Sequence, residues 1–192
     1  ALTGGTNTNN VIIGASACGS VDLANNDVII GHNAQPSGND LGNQVVIGQG
    51  ATGTGDNDVA LGNTSINSIK GQVSFGTYSD ERIKRDIEDT DIGLDFIKKL
   101  KPRKFKRVVP KDYPESIRTE NDKNFGKIVK YPDKVWDGMI AQEVKETMDN
   151  MGITFSGWNE SDSTKQELQY ATFVMPLIKA VQELSAKVEA LE

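Results

Sequence analysis

One histidine and one cysteine are all that 192 residues hold of each, and both, His32 and Cys18, lie in the first 78. A Ser-His-Asp or Cys-His arrangement is therefore excluded from residues 79–192, as is a His/Cys zinc site. A single cysteine permits no intrachain disulfide framework and reads as a small side chain in a turn. Aromatic residues are scarce at 6%, and only Phe75 and Tyr78 fall in the first 78 positions. No apolar run approaches the ~20 residues of a membrane-spanning helix, so membrane insertion is not expected. The net charge of −6 offers no general attraction to nucleic acid. The chain opens on Ala1 without a signal-peptide pattern, which suggests a fragment or a processed piece.

What is present divides into two compositions. Residues 1–78 contain 14 of the 19 glycines, and their only charges are Lys70 against Asp22, Asp27, Asp40, Asp56 and Asp58. Residues 79–192 carry 20 basic and 22 acidic groups, the remainder of the 21 and 27 in the whole chain. Such a shift marks a domain boundary near residue 78.

The first part repeats. Val11-Ile12-Ile13-Gly14, Val28-Ile29-Ile30-Gly31, Val45-Val46-Ile47-Gly48, Val59-Ala60-Leu61-Gly62 and Val73-Ser74-Phe75-Gly76 share one pattern, with glycines 17, 17, 14 and 14 residues apart. Short β-branched runs between Asn/Gly/Ser/Thr turns at a regular period predict stacked β units. Each unit offers two or three apolar side chains, so burial must come from neighbouring coils or other chains. The spacing resembles the interleaved trimeric β-helices of phage fibres and the trimeric head repeats of autotransporter adhesins; a single-chain β-solenoid is the alternative. The Asp/Asn-rich turns lack the Gly-Gly-x-Gly-x-Asp repeat of calcium-binding coils, so no metal or other cofactor is expected. The five aspartates form no evident pair for glycoside hydrolysis.

At the junction stands Thr77-Tyr78-Ser79-Asp80-Glu81-Arg82-Ile83-Lys84. With histidine and cysteine excluded, nucleophilic catalysis here requires a hydroxyl activated by a lysine. Lysine is a base only when neutral, so its reference pKa of about 10.4 has to fall through burial or nearby cations, for which Arg82 and Arg85 are at hand. Ser79 and Lys84 are five apart, about 140° around a regular α-helix, so the segment must be extended or turned, or the lysine must come from a neighbouring chain. The competing reading makes Ser79 a helix cap.

Downstream, Thr90 or Asp91 is placed to cap a helix carrying Leu94, Ile97 and Leu100, ended by Lys101-Pro102. Strands are predicted over 103–109 and 135–140. Lys98–Arg107 holds seven cations in ten residues; with only Phe105 interleaved and acidic residues around it, it reads as salt-bridged surface and not as a nucleic-acid site. Pro110, Pro114 and Pro132 punctuate a long excursion over 110–133. Ile140, Val144 and Met148 form a helical stripe that Gly152 breaks, Trp136 and Trp158 read as core or rim residues, and the polar run 159–164 reads as a loop. Leu177, Val181, Leu184, Val188 and Leu191 recur with gaps of 4, 3, 4 and 3, a heptad seam. Pro176 places the start of that helix, or a kink, near Met175, with a helical piece before it over 168–174. The seam does not set the number of copies.

Ser79-Asp80-Glu81-Arg82-Ile83-Lys84, then Leu94 to Pro102, then Gly138-Met139-Ile140-Ala141-Gln142-Glu143-Val144 and a terminal helix resemble the C-terminal intramolecular chaperone of phage tail spikes, tail fibres and neck appendages. That family is represented by the endosialidase tailspikes. The resemblance spans about residues 77–192. It implies a module that trimerises, templates the β-helical stalk before it and then cleaves itself. The scissile bond would be Tyr78–Ser79, with Ser79 as nucleophile and Lys84 as base. Asp80 and Arg82 are candidate supporting residues beside them, and Gln142 and Glu143 either orient the pair or belong to the structural signature alone. The fold expected is mixed: a triple-stranded β-helix over 1–78, an α/β (α+β) chaperone domain over 79–165 and a helical trimerisation segment over 166–192. The partners implied are two further copies, the upstream β-helical part of the same protein and a host-surface receptor bound through the stalk. The setting implied is a virion assembled in the host cytoplasm. The alternative function is a non-proteolytic fibre tip or adhesin that mediates trimerisation and host attachment.

Overall fold

A computed structural model describes residues 8–19, 25–39, 41–118, 122–123, 133–160 and 165–191. Asp22, Asp40, half of the excursion (119–121 and 124–132, with Pro132) and the loop at 161–164 lie outside the described residues. The fold is mixed α/β and divides by packing into two units, one of residues 1–68, 106–136 and 160–165, the other of 69–105, 137–159 and 166–192.

In the first unit, β1 (Val11–Ile13), β2 (Val28–Ile30), β3 (Val45–Ile47) and β4 (Val59–Leu61) form one parallel sheet in chain order. Val11, Val28, Val45 and Val59 stand in register, as do Ile12, Ile29, Val46 and Ala60. Side chains alternate along a strand. The middle residue of each triplet therefore points inward, and Ile29 and Val46 are fully buried with Ala34 and Ala51. Each rung pairs with the next rung of the same chain, so strands of other copies do not interleave among these four. A period of 14–17 residues is long enough to carry one chain around a full coil and back alongside its previous turn.

Two ladders explain the turn residues. Asn9, Asn26, Asn43 and Asn57 all adopt left-handed backbone with φ between 57° and 66°, which asparagine tolerates. Their amides stack: Asn9 Nδ2 donates to Asn26 Oδ1 at 3.2 Å and Asn43 Nδ2 to Asn57 Oδ1 at 2.8 Å. One position later, the backbone N–H of Asp27 donates to Asn10 Oδ1 at 2.8 Å, and that of Gln44 to the buried Asp27 Oδ1 at 2.9 Å. After each strand a glycine at positive φ continues the column: Gly14, Gly31 and Gly48 have φ of 132°, 138° and 133°. A Cβ at Gly14 would meet the Gly31 carbonyl, and one at Gly31 the Gly48 carbonyl.

The fifth copy of the pattern does not join. The side chain of Ile66 occupies the space over Gly62 where the next glycine would stack. Val73 and Phe75 are 84% and 90% exposed and belong to no strand. The stack ends at Gly62, and the expectation of a rung reaching Gly76 is corrected. In the same unit the Trp136 ring meets two cations, Arg107 at 4.3 Å and Lys134 at 3.7 Å from its centre.

The second unit has an aromatic core: Phe96, Val144, Met148, Phe155 and Phe173, flanked by Ile97, Leu100, Trp158 and Leu168. Phe155 packs on Phe96 at 5.2 Å and edge-on against Phe173 at 4.8 Å between ring centres. Helix α1 (Leu94–Lys99) ends ahead of Pro102, and β5 (Arg103–Phe105) pairs with β6 (Trp136–Gly138). Helix α2 (Ala141–Met151) buries Val144 and Met148 and stops at Gly152, whose φ is 65°. A short pair, β7 (Trp158–Glu160) and β8 (Gln166–Leu168), precedes a 3-10 turn over Tyr170–Phe173 and helix α3 (Val174–Glu189). Of the helical piece expected over 168–174, Leu168 is strand, 170–173 form the 3-10 turn and Val174 opens the helix.

Helix α1 is capped differently from expectation. Its N-cap is Gly93, which has no side chain to offer. The free N–H of Leu94 is instead accepted by Glu183 Oε2 of α3 at 2.9 Å. Helix α3 turns Pro176 and Ala180 inward and leaves Leu177, Val181, Leu184 and Val188 between 46% and 64% exposed. Among the described residues, no helix is long and apolar enough to cross a membrane.

Candidate active site

Residues 69–91 hold no helix or strand apart from a single 3-10 turn, Glu81–Ile83. Asp80 is its N-cap, extended at φ −65° and ψ 136°, and its Oδ1 accepts the N–H of Arg82 at 2.9 Å. The reading of Ser79 as a cap is thereby corrected: Asp80 caps, and the Ser79 hydroxyl is left for another partner. The chain leaves the turn through Lys84, extended at φ −118° and ψ 154°, whose N–H is accepted by the Glu81 carbonyl at 2.9 Å. One tight turn between two extended residues brings the ends of a five-residue separation together. Lys84 Nζ donates to Ser79 Oγ at 2.7 Å. Nucleophile candidate and base candidate meet within one chain, at the hydrogen-bonding distance a proton transfer requires.

Asp80 also binds the Arg82 side chain, with Nε donating to Oδ1 at 2.9 Å and a guanidinium nitrogen to Oδ2 at 2.7 Å. This side-chain pair, with the backbone N–H of Arg82, holds the Asp80 carboxyl below the ordinary carboxylate range and raises Arg82 in return. Arg85 lies 3.5 Å from Asp86. Tyr78, Ser79 and Lys84 are all exposed. The aliphatic side chains around them are exposed as well, Ile83 at 65% and Ile87 at 64%.

Gln142 and Glu143 sit in the first turn of α2. The Glu143 carboxylate is taken up by Arg103, whose Nε donates to Oε2 at 3.0 Å. That bond keeps Glu143 below its usual range and raises Arg103. Gln142 is exposed on the same turn. The geometry thus joins Ser79, Lys84, Asp80 and Arg82 in one turn and gives Glu143 a different partner. Sequence reading missed Arg103 and Glu183, because each serves a residue far along the chain. Of the clustered cations, Arg103 is engaged by Glu143, Lys106 by Asp133 at 3.1 Å and Arg107 by Trp136. Among the described residues no group of three or more His, Cys, Asp or Glu could hold a metal ion.

Residues 79–153 match the peptidase S74 family model, described as chaperone of endosialidase. Over these residues the chain is similar to the chaperone-of-endosialidase family. The match opens on Ser79, runs through the capped turn, α1 and β5, and closes after α2. It supports an intramolecular chaperone role, and the family's peptidase name agrees with self-processing chemistry. No curated protein matches the chain. Ser79 is the first matched residue, and Tyr78 is the last residue before it.

Proposed function

We propose that this chain is the self-releasing assembly chaperone of a homotrimeric phage fibre or appendage. Residues 1–78 are the end of the stalk, and the domain that follows templates its folding and then cuts between Tyr78 and Ser79. The observation that carries this reading is the 2.7 Å contact of Lys84 Nζ with Ser79 Oγ at the first residue of the family match.

Ser79 Oγ attacks the carbonyl carbon of Tyr78, to which its own nitrogen is bonded. Lys84 accepts the hydroxyl proton and passes it to the departing Ser79 amine, so the C–N bond breaks as the C–O ester forms. Water then hydrolyses the ester, which leaves a Tyr78 carboxylate and a free Ser79 hydroxyl. Attacking group and carbonyl belong to neighbouring residues, so the first step is effectively unimolecular. Each chain cuts once, without turnover. Lysine must be neutral to take the proton, and exclusion of water favours the neutral form. The exposed side chains of Val73, Phe75, Tyr78, Ile83 and Ile87 give neighbouring copies the surface with which to close the site. The outward face of α3 supplies a seam on which copies associate. Linking cleavage to assembly leaves the stalk kinetically trapped once its template is gone.

The stalk is then three coils side by side, each built by one chain, with host attachment as its role on a virion assembled in the host cytoplasm. The test compares wild type with Ser79→Ala and Lys84→Ala on a denaturing gel. Wild type should give two bands and each variant one full-length band. Efficient cutting in either variant removes the dyad. An uncut wild type points to the non-proteolytic fibre tip or adhesin.

A further inference from the structure

We infer that Asp80 is a positioning residue: its bonds to the backbone and guanidinium of Arg82 form the clamp that sets Lys84 against Ser79. This inference rests on the proposed cleavage.

The turn Glu81–Ile83 contains no buried residue, so packing does not hold it. Among the described residues, the backbone bonds that close it are Ile83 N–H to the Asp80 carbonyl at 3.2 Å and Lys84 N–H to the Glu81 carbonyl at 2.9 Å. A lone turn of this kind is weak by itself, because nucleation fixes several dihedrals for little bonding. Asp80 adds three bonds from one carboxylate: the Arg82 N–H at 2.9 Å, its Nε at 2.9 Å and a guanidinium nitrogen at 2.7 Å. With Asp80 and Arg82 side chains 45% and 87% exposed, the pair adds little to global stability. Its effect is local. When the turn opens, residues 79 to 84 relax towards an extended chain that separates the hydroxyl from the amine. The clamp also engages the Arg82 guanidinium with Asp80 and so draws it away from the Ser79 hydroxyl.

The experiment follows the rate of cutting of the full chain after synthesis, with oligomeric state checked by sedimentation. Asp80→Ala removes cap and clamp and should slow cutting about tenfold at unchanged oligomeric state. Asp80→Ser restores a capping oxygen without the charge and should recover to within about threefold of wild type. Arg82→Gln keeps the cap, loses the guanidinium and should slow cutting about threefold, which keeps the test open if Asp80→Ala does not assemble. Rescue by serine is the result a general loss of structure would not give. Wild-type rates in both Asp80→Ala and Arg82→Gln overturn the clamp, as does an Asp80→Ser no faster than Asp80→Ala. A wild type that never cuts overturns the cleavage reading itself, a separate outcome.

Discussion

The repeat and the chaperone domain are ordered by opposite means. Between Val11 and Gly62 the apolar interior is one column of small side chains, and order comes from in-register strands, an asparagine ladder and stacked glycines. In the second unit the interior is a cluster of aromatic and sulfur-bearing side chains contributed by α1, α2, the 3-10 turn ahead of α3 and the connections between them. A ladder of repeats is only as secure as its neighbours, since each rung is stabilised by contact with the next. A compact core brings together residues distant in the chain and holds its shape without a template.

Substitutions in each region sharpen that contrast. Phe96→Ala, at the centre of the aromatic cluster, should cost about 3–5 kcal/mol and unfold the second unit cooperatively in a denaturant titration. Gly31→Ala forces a Cβ into the Gly48 carbonyl at a backbone angle of φ 138°. It should cost about 1–3 kcal/mol, lowering the strand signal in circular dichroism while the helical signal persists. Ile29→Val removes one methylene from the column and should cost about 0.5–1.5 kcal/mol, read as a small fall in the same transition. The smallest effect belongs to the partly exposed pair Arg103–Glu143. Arg103 depresses the Glu143 carboxyl in the folded chain, so the pair stabilises at pH above the unfolded value of about 4.3 and ceases to as pH falls through the lower folded value. The melting difference between wild type and Glu143→Gln should accordingly be present near neutrality and vanish in acid.

Much of this contrast was readable from residues alone. The four Val-x-apolar-Gly rungs, the stop of α2 at Gly152 and the outward heptad face of α3 follow from local pattern and chirality. The fifth rung was not readable, because Val73–Gly76 has the same pattern as the others, and what excludes it is the side chain of Ile66 over Gly62. Interleaving was equally undecidable from a period that serves coils of one chain or of three. The cap on α1 escaped because its acceptor, Glu183, is 89 residues away. At the candidate site the residues were legible and their geometry was not. A five-residue spacing says nothing of proximity until Asp80 is seen to cap the turn between Ser79 and Lys84.

The most direct test is the intact mass of the freshly purified wild-type chain, measured without a protease and paired with the N-terminal sequence of any second species. Self-cleavage at the junction gives two masses, one ending at Tyr78 and one beginning at Ser79. A single full-length mass, or a break at any other bond, contradicts it.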